Sequence, residues 1–394
     1  MPGRALVLGL LVLTAAGIGW LLWARGRAMS RPVPAVALLP FRSLSPGIDY
    51  LSDGLTIELI NSLARVEKLR VVSWNRAVEF RGKVSDLKDL REQLEAGSVV
   101  DATVQKQGDR LKIMVKLIDT QSGEAIWSDS LDRPERQVFE IQERIAKGIV
   151  YALNVPMRVD PQRILVPVRT QSMAAYGNYL KARVSLGLGD LSQSAEAAER
   201  AVAEDPNFSP AYALLAADFG LFGSATHESL AKAKTLARKA VELDPSAAEA
   251  HAALGMALGV GDWNWKGAKA ELERAVQWAP NSAVTHAAYA LGYLLPTSDL
   301  DGADYETRKA LELDRLSQFA NSAAHRVAEA QRKPEAQRKP EGARENIDAA
   351  FAELNSAVDQ HSPSVVYVQV DPRYAGLRQD PRYLLVLKRL KLRE

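Results

Sequence analysis

The spacing of apolar residues differs between three regions of the chain. Residues 5–24 form an uninterrupted stretch without charge. From residue 32 to about 157, short apolar runs alternate with segments whose apolar side chains recur every three or four positions, which predicts buried strands between amphipathic helices. From residue 171 to 320 only the helical spacing persists. The pattern therefore predicts a multidomain chain with an apolar N-terminal segment, an α/β domain and an all-α region.

The first stretch predicts a transmembrane helix. Its twenty residues, at 1.5 Å rise each, would span about 30 Å, the thickness of a bilayer core. Trp20 and Trp23 stand near its end, where indoles favour the membrane interface. A cleaved signal peptide is the alternative, but its apolar region is shorter and Ala24-Arg25-Gly26 is a poor cleavage site. We expect residues 1–31 to be an uncleaved anchor with its flanks.

The region from residue 32 to 157 predicts the order β-α-β-α-β-β-β-α. Val33–Phe41 is typical of a buried strand, and Asp49–Val66 of an amphipathic helix. Gln107-Gly108-Asp109 separates two strand-like runs and indicates a hairpin turn. The meander that follows excludes a purely parallel sheet, so we expect a mixed sheet with helices on one side.

Two stretches of this region resemble the TolB-like amino-terminal module of bacterial multidomain proteins. The matching residues are Pro40, Phe41, Asp53, Gly54, Leu55 and 69–72 in the first stretch, and Gly108, Asp109, Leu117, Ile118, Asp119, Gly123, Trp127 and Asp132 in the second. The chain departs from the family at Leu94-Glu95, where Leu-Gly is usual, and at 101–104, where Glu-Gly-Ser-Val is usual. The resemblance implies a TolB-like α/β domain over residues 32–157.

Residues 171–320 contain a motif that recurs at nearly constant spacing. The four copies are Ala201–Pro206, Ala240–Pro245, Ala275–Pro280 and Ala310–Arg315, whose last residues lie 39, 35 and 35 positions apart. This region is similar to the tetratricopeptide repeat (TPR), a helix–turn–helix unit of about 34 residues. Small residues such as Gly255, Ala275 and Ala290 would let antiparallel helices approach closely, and Ala275→Leu should cost about 1–3 kcal/mol by overpacking.

The remaining segments are predicted as linkers and a C-terminal extension. We expect linkers at residues 158–170 and 321–345, the second of which contains the hexapeptide AQRKPE twice in succession. Residues 346–394 are expected to form a half-repeat helix and a basic tail. This ending resembles that of bacterial TPR proteins that carry the TolB-like module. There an effector domain often precedes the membrane segment, so we expect that domain to be absent from this chain.

Taken together, the anchor and the resemblance predict a single-pass protein of the bacterial inner membrane. The flanking arginines leave its orientation open. We expect the soluble part to be periplasmic, with a cytoplasmic location as the alternative.

Composition and motifs give no sign of a reactive centre. Lysine and arginine number 50 against 48 acidic residues, a balance that gives no reason to expect nucleic-acid binding. The chain has no cysteine, which excludes disulfides, thiolate zinc sites and a cysteine nucleophile. Ala77 and Ala231 stand where a phosphate-binding loop and a zincin motif would need glycine and histidine. No cofactor or metal is predicted.

The histidines and three aspartates are expected to be structural. His251 and His286 occupy a repeat position held by tyrosine in other copies, which favours packing. The other histidines, His227, His325 and His361, have no partner in the sequence. The aspartates are Asp49, Asp53 and Asp119. Helix-start and turn roles are expected for them, and a carboxylate cluster is the alternative.

Partner binding is expected on the inner face of the repeats. The six residues predicted to line this groove are Ala213, Ala217, Ala252, Met256, Ala287 and Leu291. Because they are small and apolar, the groove should accept an apolar helix or extended segment, or be filled by the chain's own C-terminal helix. Trp263 and Trp265 are expected to pack between repeats, with an exposed aromatic patch as the alternative.

Three functional hypotheses follow. The leading one is a non-catalytic, membrane-anchored scaffold that binds partner proteins through its TPRs. The alternative is a ligand-sensing regulatory component of a bacterial signalling or transcriptional system, with its effector on another chain and a small-molecule ligand in the α/β domain. The remote one is an enzyme that uses a dispersed carboxylate site.

Overall fold

The computed structural model describes residues 33–83, 86–155, 164–332 and 343–393. Its residues from Ala35 onward belong to one compact unit. The strands are β1 (Ala35–Leu38), β2 (Arg42–Ser43), β3 (Arg70–Val71), β4 (Ser98–Gln107), β5 (Arg110–Asp119) and β6 (Ala125–Pro134). The helices among and after them are α1 (Asp49–Leu63), α2 (Trp74–Ala77), α3 (Leu87–Leu94) and α4 (Val138–Ala152).

The strands form the mixed sheet that the sequence predicts. Their order is β3-β1-β4-β5-β6, with β2 beside β4. Strand β1 is parallel to β3 and β4, whereas β4, β5 and β6 are antiparallel to one another. Gly108, with φ +60°, makes the tight turn between β4 and β5.

Helices cover both faces of the sheet, not one face as predicted. Helices α1 and α4 pack against one face, and Leu90 and Leu94 of α3 join a separate core with Ala37 and Val99 on the other. The reason is that β1 is apolar on both sides, so each of its faces needs a covering layer.

The rest of the described chain is helical and consists of antiparallel pairs. The pairs are α5 (Met173–Gly187) with α6 (Leu191–Glu204), α7 (Ser209–Ala217) with α8 (His227–Leu243), α9 (Ala248–Met256) with α10 (Trp265–Trp278), and α11 (Ala283–Tyr289) with α12 (Leu300–Leu313). Helices α13 (Gln318–Gln331), α14 (Ala343–Asp359) and α15 (Pro381–Arg389) follow. Five-residue π-helical turns extend α7, α9 and α11. The prediction of helical repeats is thereby confirmed.

The recurring alanine motif marks the end of each second helix. There the backbone N–H of the residue after the helix donates to the carbonyl of the motif alanine, in α6, α8, α10 and α12 alike. The fourth copy ends as sharply as the others although Arg315 replaces proline. Asp314 has an extended backbone, and its carboxylate accepts the N–H of Leu316 at 3.0 Å.

Small residues set the distance between helices, as the sequence predicts. A Cβ atom added to Gly255 would lie 2.5 Å from Cγ of Leu272 in the paired helix. One added to Gly259 would lie 2.2 Å from the carbonyl oxygen of Gly292 in the next repeat. Neither position can carry a larger side chain without moving its neighbour.

The linker expected from residue 321 begins later than predicted. Helix α13 continues to Gln331 because Ala320, Ala323 and Val327 form a buried stripe along it. The AQRKPE tandem lies mostly outside the described residues.

The predicted localisation needs correction. Among the described residues, no helix is long and apolar enough to cross a membrane. The longest, α8 and α14, have 17 residues. They therefore reach about 25 Å, less than the roughly 30 Å of a bilayer core. The prediction of a single-pass inner-membrane protein is wrong on this finding. The stretch 5–24, on which that prediction was based, lies outside the described residues.

Candidate functional site

The α/β domain and the first helix pair share one hydrophobic core. Helices α1 and α5 approach so closely that a Cβ atom on Gly54 would lie 2.7 Å from Cβ of Leu180. Beside this contact, the hydroxyl of Tyr179 donates to Oε1 of Glu58 at 2.8 Å. The α/β domain and the first repeat are therefore packed directly against each other at this contact.

A cleft of about 100 Å³ lies where α1, α4 and the starts of several repeat helices meet. Its charged and amide lining residues include Glu58, Arg65, Gln142, Arg169, Arg183 and Glu249. Its apolar lining includes Phe139, Leu165, Val166 and Ala213. The cleft thus combines several ionic groups with a short apolar wall.

Arg183 is the central charge of this cleft. Its guanidinium donates to both carboxylate oxygens of Glu249 at 2.8 and 2.7 Å and lies 3.3 Å from Oε1 of Glu58. Burial opposes its charge, but Glu249, Tyr179 and Glu58 outweigh burial, so the pKa of Arg183 is raised above its ordinary value. Two carboxylates from different parts of the chain therefore depend on this one arginine.

Two other arginines line the cleft, and they differ in whether they form an ion pair with a described residue. Arg169 is ion-paired with Asp244. Arg65 makes no ion pair or side-chain hydrogen bond within the described part of the chain. Burial lowers the pKa of Arg65, and the neighbouring charge of Arg169 lowers it further. Arg65 is consequently the cation of the cleft that lacks a direct acceptor among the described residues.

Asp218 is a buried carboxylate close to this region, at the start of the π-helical turn that follows α7. It is 4% exposed, and Oγ of Ser194 donates to its Oδ2 at 2.9 Å. Burial raises the pKa of Asp218 to about 7, and the bond from Ser194 offsets only part of this effect. Its charge therefore changes near neutral pH.

The six predicted groove residues all lie inside the protein. Ala213, Ala217, Ala252, Met256, Ala287 and Leu291 are at most 6% exposed. Residues 360–392, which we call the C-terminal segment, cover part of this face. Tyr367 donates to the carbonyl of Leu291 at 3.1 Å, and Gln369 to that of Pro296 at 3.1 Å. A partner could reach these residues only after the covering side chains moved.

Trp263 and Trp265 also contact the C-terminal segment. Trp265 donates through Nε1 to the carbonyl of Leu390 at 2.9 Å. Trp263 is 7% exposed, and its ring lies parallel to that of His361 with the centroids 4.5 Å apart. Both indoles therefore serve packing, but against the end of the chain and not between repeats.

His251 and His286 make the same pair of contacts one repeat apart. Their Nδ1 atoms lie 2.5 Å from the carboxylates of Glu271 and Glu306, respectively. Their Nε2 atoms lie 2.9 Å from the carbonyl oxygens of the preceding motif prolines. The hydrogen bond from His251 is the main reason that the pKa of Glu271 is lowered. These buried pairs tie the first helix of each repeat to the second.

The three aspartates noted in the sequence do not form a reactive cluster. Asp53 accepts two bonds from Arg81 at 2.8 and 2.9 Å, and Asp119 accepts the N–H groups of Gln121 and Ser122 in its own turn. Asp49 lies in the first turn of α1. Within the part of the chain that the structure describes, no group of three or more acidic or histidine side chains is arranged to hold a metal ion.

The sequence did contain two unused signals for these contacts. Glu271 and Glu306 are 35 residues apart, as are His251 and His286, which indicates a repeated pair. Arg183 continues the helical stripe of Tyr176 and Tyr179, so a charge interrupts an otherwise packed face. For Asp218, Arg65 and Gln142 we find no comparable signal.

Residues 33–148 match the family model of the second domain of HilA/YgeH-like transcriptional regulators. The chain is also similar to Putative adenylate cyclase 3 of Rhizobium meliloti (strain 1021). The two are 28% identical over 235 residues, which cover 57% of this chain. The same match spans 40% of the relative's length.

Two solved structures are similar to parts of the chain. TolB from Acinetobacter baumannii shares 19% identity over 31% of this chain and 28% of that one, with a TM-score of 0.25. A thermophilic TPR protein from Thermus thermophilus shares 18% identity over 49% of this chain and 88% of that one, with a TM-score of 0.32. These likenesses concern fold alone, and no functional argument rests on them.

Proposed function

We propose that the protein is a non-catalytic regulatory protein in which the α/β domain and the helical repeats act together to bind a partner protein. The observation that carries this proposal is the core shared by α1 and α5. Because Gly54 and Leu180 are in close contact, a shift of the α/β domain must also shift the first repeat. In such a tightly packed pair, binding at one part can change the position of the other part.

The comparisons support a regulatory role. The matching family model is named for transcriptional regulation, and the similar protein of Rhizobium meliloti for adenylate cyclase activity. Likenesses to proteins with two different named outputs suit a chain that recognises or regulates better than one that performs a reaction. Because the match covers only 40% of the adenylate cyclase's length, its named activity is not assigned to this chain.

We further propose that the partner binds the groove face of the repeats and competes there with the C-terminal segment. Small apolar groove residues and the aliphatic side chains of Val365, Val366 and Val368 meet in one buried cluster. An apolar helix of the partner could replace these side chains. The partner would also have to provide new hydrogen bonds for the indole N–H of Trp265 and the carbonyl of Leu291. The six groove residues predicted from the sequence therefore stay candidates for partner contact.

Affinity capture with two baits tests this proposal. The first bait is the full chain, and the second carries Tyr367→Phe and Gln369→Ala, which remove two hydrogen bonds of the C-terminal segment. The loosened bait should retain several-fold more of the same partner, and that partner should be released by a synthetic peptide of residues 360–392. Tyr305→Phe, at a residue 62% exposed, is the matched control.

Two results would contradict the proposal. One is a failure of both baits to retain any reproducible partner. The other is equal recovery by the two baits with no release by the peptide, which would indicate that the partner binds a different surface.

A second candidate is the ligand-sensing regulatory component whose effector is another chain. The cleft between the α/β domain and the repeats favours it, because a ligand there would contact both parts. The remote enzyme hypothesis gains no support from Asp53 and Asp119, since both already have structural partners.

A further inference from the structure

Two hydrogen-bond donors of the cleft are unused within the described chain. Gln142 is 1% exposed, and its Oε1 accepts the hydroxyl of Tyr176 at 3.0 Å. Its Nε2 has no hydrogen-bond partner among the described residues. A buried donor without an acceptor costs about 1–3 kcal/mol, so such groups are rare unless something else binds them. Arg65 lines the same cleft without an ion pair in the described chain.

The charges around the cleft explain why Arg65 is the free one among the described residues. Glu58 and Glu249 are held by Arg183, and Asp244 by Arg169. Burial and Arg169 disfavour the positive charge of Arg65, and the nearby carboxylates of Asp244, Glu58 and Glu249 offset only part of this, so its pKa is lowered. An anion beside Arg65 would offset both effects, and an arginine fork suits a carboxylate best because it can donate two parallel bonds.

The size and lining of the cleft limit the rest of the ligand. Its volume of about 100 Å³ is smaller than the roughly 150 Å³ cavity that accommodates benzene. Phe139, Leu165 and Val166 supply an apolar wall next to the polar groups. This combination suits a small ligand with one polar end and a short aliphatic chain.

We propose that the cleft binds a small aliphatic monocarboxylate, with Arg65 and Nε2 of Gln142 donating to its carboxylate group and its hydrocarbon chain lying against Phe139 and Leu165. This inference deepens the second candidate function, on which it rests. Arg65 and Gln142 belong to the α/β domain, whereas Ser209 and Ala213 on the facing wall belong to the repeats. The bound acid stabilises the contact between the two parts, because it binds only where both walls are in place.

Thermal unfolding and calorimetry of the full purified chain test the site. Acetate, butyrate and benzoate are titrated against sodium chloride and sodium sulfate at equal ionic strength. Butyrate should raise the unfolding temperature saturably and bind with measurable heat. Acetate should bind more weakly because its chain is short, and benzoate more weakly because of its size. Since no partner protein is present, failure here leaves the partner-binding proposal intact.

Matched variants make the test specific. Arg65→Gln and Gln142→Glu should each weaken butyrate binding at least tenfold, and the second variant replaces the Nε2 donor while keeping an oxygen that can accept the hydroxyl of Tyr176. Arg200→Gln, at an exposed arginine of α6, should bind like the parent. An absent response to all three acids, an equal response to sulfate, or unchanged binding in both cleft variants would overturn the proposal.

Discussion

Beyond the first helix pair, along which α1 lies, the α/β domain and the C-terminal segment pack against the repeats at opposite ends of the helix pairs. The α/β domain contacts the loops that join one pair to the next, where Asn281 donates to the carbonyls of Val66 and Leu69. The C-terminal segment contacts the ends where the two helices of a pair are joined, near Trp263 and Pro296. In an antiparallel pair these two kinds of loop lie at opposite ends.

The two contacts differ in chemistry. Around the cleft, the α/β contact depends on Arg183 and its two carboxylates, and it leaves donors unused among the described residues. The C-terminal contact is formed mainly by aliphatic side chains such as Val366 and Leu387. Ion pairs lose free energy steeply when one partner is removed, whereas aliphatic contacts lose it in proportion to the volume deleted. The α/β contact is therefore expected to be the more sensitive of the two to the removal of a single charge.

The largest effect is expected from Arg183→Met. It leaves Glu58 and Glu249 without their shared cation and should reduce the free energy of unfolding by about 3–5 kcal/mol in denaturant titrations. Arg200→Met, which breaks only an exposed pair with Glu196, should cost less than about 1 kcal/mol. Similar costs for the two variants would show that the charges of the cleft do not hold the domains together.

Leu387→Ala tests the aliphatic side of the comparison. Leu387 is 3% exposed on α15, and its truncation should cost about 2–5 kcal/mol through lost burial and a residual cavity. Leu385 on the same helix is 62% exposed, so Leu385→Ala should change stability by less than about 0.5 kcal/mol. If both variants unfold at the same denaturant concentration, the C-terminal segment is not packed as described.

Gly54→Ala tests the close approach of α1 and α5. The added methyl group meets Leu180 and should cost about 1–3 kcal/mol by overpacking. Gly177 lies on α5 with no atom within 4 Å of an added Cβ, so Gly177→Ala should stabilise the protein by up to about 1 kcal/mol. The pair is compared by thermal unfolding, and a stabilising Gly54→Ala would contradict the shared core.

A pH dependence is expected from Asp218. Its pKa is raised from 3.8 to about 7 in the folded protein, so the folded state holds the proton more tightly than the unfolded state. Its contribution is fully present below pH 3.8 and is lost as the pH rises towards 7, by at most about 1.4 kcal/mol per pH unit. Asp218→Asn should remove this slope from unfolding curves taken between pH 5 and 8. An unchanged slope would assign it to another group.

Much of the fold follows from local patterns. The mixed sheet was predictable because the turn at Gly108 and the alternation in β5 depend only on neighbouring residues. The second face of helices was missed: the spacing of Leu87, Leu90 and Leu94 predicts α3, but the face of the sheet that α3 covers is decided by its contact with β1 and β4. The linker boundary was missed because an alanine-rich stripe such as that of α13 has little hydrophobic signal by itself.

The candidate site was hardly predictable. The repeat pattern located the histidine positions, but it left open whether a partner or the chain's own C-terminal helix fills the groove, and the groove residues are buried in the structure. The cleft exists only in the folded protein, because its lining residues Arg65, Gln142 and Arg183 lie on three segments that are far apart in the sequence. Glu58 and Tyr179, which hydrogen-bond at its edge, are 121 positions apart in the chain.

By itself, the sequence determined the helical repeats, their period and the mixed character of the sheet, because each of these follows from spacing within a few dozen residues. Only the tertiary structure decided that the α/β domain and repeats share a core, that the end of the chain covers the groove face, and that a cleft with unused donors lies between the two parts. These features depend on which distant surfaces bury each other, and that choice is made by shape and charge complementarity across the whole chain.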